Sequence, residues 1–152
     1  MQRQAGFTLI ELVMVIVILG ILSAFALPRF ADLGSEARTA TVQAALGAVK
    51  AASAIAHADA LVSNQNTATG SVTLDGATVN LVNGYPAVDD TTAGTNDILT
   101  AAQITSDDFT ITSTATAVTV AAAGGTGTCQ IVYTEATAVG NAPVISIDTS
   151  GC

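Results

Sequence analysis

Gly6-Phe7-Thr8-Leu9-Ile10-Glu11-Leu12 leads straight into Val13-Met14-Val15-Ile16-Val17-Ile18-Leu19-Gly20-Ile21-Leu22, and the rest of the chain is arranged around this run. From Phe7 to Leu27 there are 21 residues and one charge, Glu11. At about 1.5 Å of rise per residue, a helix of that length reaches roughly 30 Å, the thickness of a bilayer's hydrocarbon core. The segment is long enough to span. The anomaly is the acid, because a carboxylate inside such a run costs about 2.5–3.5 kcal/mol on insertion scales and marks a functional position.

A short leader with one positive charge (Arg3), then Gly6, Phe7 and Glu11 ahead of an unbroken apolar run, resembles the N-terminus of type IV pilins and the related pseudopilins. The resemblance implies that a prepilin peptidase cuts between Gly6 and Phe7 and methylates the new amino terminus. Residues 1–6 are then a leader, 7–28 a hydrophobic anchor and polymerisation helix, and 29–152 a globular domain. Glu11 becomes the fifth residue of the mature chain, where pilins carry their glutamate. Pro28 sits where type IVa pilins have a helix-disturbing proline, and proline both lacks an N–H and disfavours helix at the residue before it. In filaments of this family the segment between the equivalent glycine and proline is extended, so the same is expected between Gly20 and Pro28 on assembly. Phe7, Glu11, Gly20 and Pro28 are the assembly positions the resemblance marks.

An ordinary secretory signal is the competing reading of the same residues. Leu12–Leu22 has the length of a signal's apolar region, and Ala24-Phe25-Ala26 satisfies the small-x-small rule for signal peptidase. Glu11 at the start of the apolar core and the full Gly-Phe-Thr-Leu-Ile-Glu string speak against it. The two readings differ at the mature N-terminus: Phe7 for a pilin, Leu27 for a soluble exported binding domain.

The chain has 152 residues and a net charge of −8, and removing Met1–Gly6 takes away Arg3 and no acid, leaving 3 − 12 = −9 on the side chains. So acidic a domain lacks the electrostatic footprint of a nucleic-acid binder or of a protein that adheres to anionic membranes. Cys129 and Cys152 both lie far from the anchor, and in an exported chain they read as one disulfide. It closes a loop of about 24 residues, which a chain-entropy treatment values at roughly 3 kcal/mol. No metal-ligand spacing, nucleophile elbow, phosphate loop or dinucleotide fingerprint is present, so neither an enzyme nor a cofactor is expected. Asp89, Asp90, Asp97, Asp107 and Asp108 are close enough in sequence to gather around a divalent cation. No recognisable Ca²⁺ spacing joins them, and a solvated acidic loop is the expectation.

Beyond the anchor, the alanine-dense stretch Arg29 to about Leu61 reads as continued helix. Arg29, Glu36, Gln43, Lys50 and His57 fall seven apart on a polar stripe, which predicts a solvated His57. Phe30, Leu33, Ala37, Ala40, Ala44, Ala48, Ala51 and Ile55 form one apolar stripe; Val42, Leu46 and Val49 form a second flank. Two flanks suggest two things to cover, the chain's own domain and a neighbouring subunit. After the polar loop Ser63–Gly70 the period changes to two. Ser71–Leu74 and Ala77–Leu81 around Asp75-Gly76 predict a tight hairpin. Asn83-Gly84-Tyr85-Pro86 reads as a turn that leads the chain away, Ile98–Ile104 as a short helix, and Phe109–Thr112, Val118–Val120, Cys129–Thr134 and Val144–Asp148 as strands. A long N-terminal helix packed on a C-terminal antiparallel sheet, an α+β domain, is the expected fold. The closing strings, Cys129–Ala136 and Ile147–Cys152, with Pro28–Leu33, are similar to mannose-sensitive haemagglutinin-class pilins.

The function expected is a structural subunit of a type IV pilus, held in the inner membrane with Phe7 cytoplasmic until an assembly machine adds it to a homopolymeric filament for adhesion or motility. A pseudopilin of type II secretion is the alternative of the same class. A conductive filament is disfavoured by the sparse aromatics, and nothing indicates nucleic acid as a partner. Glu11 is expected to be protonated, to reach toward water, or to pair with the Phe7 amine of another copy.

Overall fold

A computed structural model describes residues 7–88, 97–124 and 128–152, with the side chains of 27–32 outside the description. The leader and the acids Asp89 and Asp90 therefore lie outside the described residues. The chain falls into two compact units, Met1–Glu36 and Ala37–Cys152. One helix, α1, spans Leu9–Val62 and contributes to both. In the first unit its side chains from Leu9 to Ala26 are all exposed.

In the second unit α1 is followed by β1 (Thr69–Leu74), β2 (Ala77–Val82), β3 (Tyr85–Pro86), α2 (Asp97–Ala102), β4 (Phe109–Ser113), β5 (Ala117–Ala122), β6 (Gln130–Thr134) and β7 (Val144–Asp148). The architecture is α+β, as the change of period predicts, but the strands make two antiparallel sheets rather than one. β1-β2-β3 form a three-stranded ladder and β4-β5-β6-β7 a four-stranded one. Asp75 and Gly76 take positive φ (48° and 80°), and so do Asn83 and Gly84 (55° and 83°). Both pairs are two-residue turns of the kind that matches strand twist. Asn83-Gly84 therefore does not lead the chain away; it folds Tyr85-Pro86 back onto Leu81 and Val82.

The buried face of α1 is Val42, Ala45, Val49, Ala52, Ala56 and Ala60. The steps of three and four keep these on one face. Val42 to Ala52 cover the four-stranded sheet through Val118, Val120, Ile131 and Tyr133. Ala56 and Ala60 cover Val72, Val79 and Leu81 of the other. The buried pairs Val120↔Ile131 and Val118↔Tyr133 sit directly across from each other on β5 and β6. So the flank of Val42 and Val49 serves the domain's own core. Of the other stripe, Leu33 and Ile55 stay more than half exposed, at 57% and 58%.

Both helices of this unit stop by the same device. Asn64 and Gln103 adopt left-handed φ (56° and 55°), and the next amides reach back, Gln65 N–H to Ala60 O at 2.7 Å and Ile104 N–H to Leu99 O at 3.0 Å. That bond closes the helix C-terminus in a Schellman motif. α2 is pinned at its other end: Asp97, buried, accepts the Asn80 backbone N–H at 2.7 Å. Asp97 thus ties the start of α2 to β2 and is not part of a solvated acidic loop. No group of three or more metal-ligating side chains exists among the described residues.

Candidate functional site

Leu9–Ala26 is long and apolar enough to cross a membrane, by length and composition, and none of it is buried within the chain. Its polar chemistry is concentrated at one end. Thr8 precedes the first helical residue, and Glu11 is the third residue of the helix. Thr8 N–H and the Thr8 hydroxyl both donate to Glu11 Oε2, at 2.9 and 2.7 Å. Glu11 N–H in turn donates to Thr8 Oγ1 at 3.3 Å. This is a capping box, in which Ser or Thr at the cap and Glu three residues on satisfy each other's otherwise unpaired amides. The carboxylate also lies at the positive end of the helix dipole. Within one chain Glu11 is therefore neither bare nor in need of a foreign cation, a state beyond the three expected from sequence. The Thr8-x-x-Glu11 spacing carried this signal, and reading Glu11 only as a charge in an apolar run conceals it. Oε1 takes no part in these bonds.

Gly20 offers open space where a Cβ would lie, and Ser23 Oγ donates to its carbonyl at 2.9 Å. In the single chain α1 is helical from Gly20 through Pro28, where the sequence reading expects an extended segment on assembly.

At the far end of the chain, Cys129 and Cys152 are joined, both buried in the larger core. Arg38 Nε–H of α1 donates to Cys152 O at 2.6 Å, across 114 positions of sequence. Asp148 closes the turn between β7 and Cys152. The Ser150 backbone N–H, then the Ser150 and Thr128 hydroxyls, hold its carboxyl below the ordinary range.

His57 departs from the sequence expectation. It is half-buried, its ring lies 4.0 Å from that of Tyr85 with 3° between planes, and Nδ1 is 2.8 Å from Gly84 O. A carbonyl can only accept, so Nδ1 carries the proton. The Asn83-Gly84 turn places both partners, which is why a helix-stripe reading of His57 missed them. Glycine suits position 84, since φ is positive and an added Cβ would displace the Asn66 side-chain amide.

Residues 1–27 match the family described as prokaryotic N-terminal methylation motif. The chain is also 40% identical over 110 residues to the type IV narrow pilus major component PilA5 of Thermus thermophilus, covering 72% of this chain and 88% of the relative. That alignment extends far beyond the N-terminal motif. The chain belongs to the type IV pilin family. This pilin is also 52% identical over 52 residues to the type IV major alpha-pilin of Moraxella bovis, about a third of each chain (34% and 33%). With fimbrial protein EcpC of Eikenella corrodens it shares 38% identity over 102 residues, 66% of this chain and 63% of the relative. No solved structure matches significantly.

Proposed function

We propose that this pilin is the repeating subunit of a type IV pilus, stored in the inner membrane through residues 7–28 and extruded into a homopolymer after cleavage at Gly6-Phe7 and methylation of Phe7. The observation that carries the reading is the bare apolar rod, exposed from Leu9 to Ala26 and headed by the capped Glu11. A rod of this kind needs lipid before assembly and copies of itself afterwards. The Thr8 bonds lower the cost of keeping Glu11 in the membrane, and Oε1 stays available to the Phe7 amine of an adjacent copy. In the low dielectric of a helix bundle that attraction is strong at short range, so it fixes axial register more than it adds stability. The partners are the peptidase, the assembly machinery and the chain itself, and the closing strings favour the mannose-sensitive haemagglutinin subclass.

Negative-stain microscopy of sheared surface fibres, with mass spectrometry of their subunit, tests this. Micrometre fibres built mainly of this chain and beginning at methylated Phe7 are the expected result. Short periplasmic assemblies would make it a pseudopilin instead, and a soluble monomer beginning at Leu27 would refute the pilin account of its export. Glu11→Gln should leave synthesis and cleavage intact and leave few fibres on cells.

A further inference from the structure

A groove of about 340 Å³ runs along α1 where the helix meets the end of the four-stranded sheet, and Lys50, His57, Leu61, Tyr85, Pro143 and Ile145 line it. Its walls are alkyl groups and the stacked His57–Tyr85 rings, with His57 Nε2 uncommitted because Nδ1 is held by Gly84 O. Its one full charge is Lys50. In Ala37–Cys152 nine acidic side chains stand against two basic ones, Arg38 and Lys50. Arg38 is engaged at Cys152, while Lys50 is exposed and bonds to no other described residue. Around the groove, a strongly acidic domain presents a cation that is unpaired among the described residues.

The complementary feature lies on the opposite side of the same sheet. Ile145 belongs to β7, one edge strand; β4 is the other edge. The turn leading into β4 carries Asp107 and Asp108, both exposed and without a bond to any described residue. With strands about 4.8 Å apart, four of them separate the two edges by roughly 14 Å. One copy therefore offers a cation at its β7 edge and an adjacent pair of acids at its β4 edge.

We propose that the groove receives the Asp107–Asp108 turn of a second copy, Lys50 of one subunit pairing with the carboxylates of the next. This rests on the pilus reading and names a contact within it. The contact joins unlike surfaces, so each added copy leaves a free groove at one end and a free acidic turn at the other. Such heterologous contacts extend into an open helical array unless the rotation closes a ring. The apolar walls exclude water around the pair and sharpen its dependence on register, while the charges steer encounter between domains that otherwise repel.

Lys50 is the only lysine in the sequence, which makes the test selective. Wild-type filaments and detergent-solubilised monomer are treated with a carbodiimide, which joins amines to carboxylates at zero spacing, and the peptides are identified by mass spectrometry. A link from Lys50 to Asp107 or Asp108 in filaments, absent from monomer, is the expected result. Lys50→Arg keeps the charge and should keep filament yield while losing the link. Lys50→Glu should be processed normally and lower filament yield about tenfold, as like charges meet across the contact; adding Asp107→Lys and Asp108→Lys should restore it. If Lys50 in filaments reacts with amine reagents as readily as in monomer, or links only to another protein, the contact is wrong while the pilus stands. Should wild type form no filaments, the pilus reading fails and the contact with it.

Discussion

Thr8 and Glu11 turn an expensive feature, an acid in an apolar run, into the closure of a helix end. The bonds run both ways, so removing either side chain orphans an amide at the start of α1. Thr8→Val keeps the branched shape and deletes the hydroxyl; loss of such a cap costs about 1 kcal/mol. Faster amide exchange over the first turn of α1 in micelles is the expected sign, and unchanged exchange there would argue against the cap. A second residue-scale case is Tyr133, buried on β6, whose hydroxyl donates to Pro86 O at 2.7 Å. Burial raises its pKa well above the ordinary phenol range, against a lowering from Ser53; Glu135 and then Tyr85 add smaller raising contributions. The folded value thus exceeds the unfolded value of about 10, and the unfolded chain ionises first. The resulting stability is complete below pH about 10 and is lost as pH climbs from there through the folded value. Tyr133→Phe should cost about 1 kcal/mol at neutral pH and flatten the alkaline decline of the urea midpoint between pH 9 and 12 (roughly the window in which phenols titrate). A variant as sensitive to alkali as the parent would remove Tyr133 from that account.

Among the elements, α1 shows where sequence reading succeeds and where it stalls. Its extent to about Leu61, against an observed end at Val62, followed from alanine density, and both flanks were visible, yet alanines on every side left open which flank faces inward. The choice is made by the sheet: Val42 and Val49 are fully buried against it, whereas Ile55 is 58% exposed. Leu99 of α2, also fully buried, should cost about 2–5 kcal/mol when changed to Ala. Ile55→Ala should change the unfolding free energy, read from urea denaturation, by no more than about 0.5 kcal/mol, and a large loss at Ile55 would mean that its flank is covered even in the monomer. Turn chemistry was equally uneven. Asp75-Gly76 lies between two runs of alternating residues and could be read as a hairpin. Asn83-Gly84 has the same chemistry, but the strand after it is two residues long and contains a proline, too short for any period to show. The stacking of His57 on Tyr85 was hidden for the same reason, because it depends on that missed turn.

For the molecule as a whole, what could be read in the sequence was the N-terminal apolar segment, since 21 residues with a single charge need no tertiary context. Partners in the globular unit could be read where a tight turn or covalent chemistry forces them, as for β1 with β2 and Cys129 with Cys152. That disulfide spans a sequence separation of 23, and Cys129→Ser with Cys152→Ser should lower the unfolding free energy by about 3 kcal/mol. Reduction of the parent should reproduce the loss, and equal midpoints with and without reductant would contradict it. The join also decides how traction would pass through a subunit. Beside the backbone and the packed face of α1, one route joins helix to sheet from Arg38 to Cys152 through one hydrogen bond, and through sulfur to the residue preceding β6, an inner strand flanked by β5 and β7. The outer strand β7 is bypassed, so it can peel from the ladder under tension without the helix and the sheet parting company.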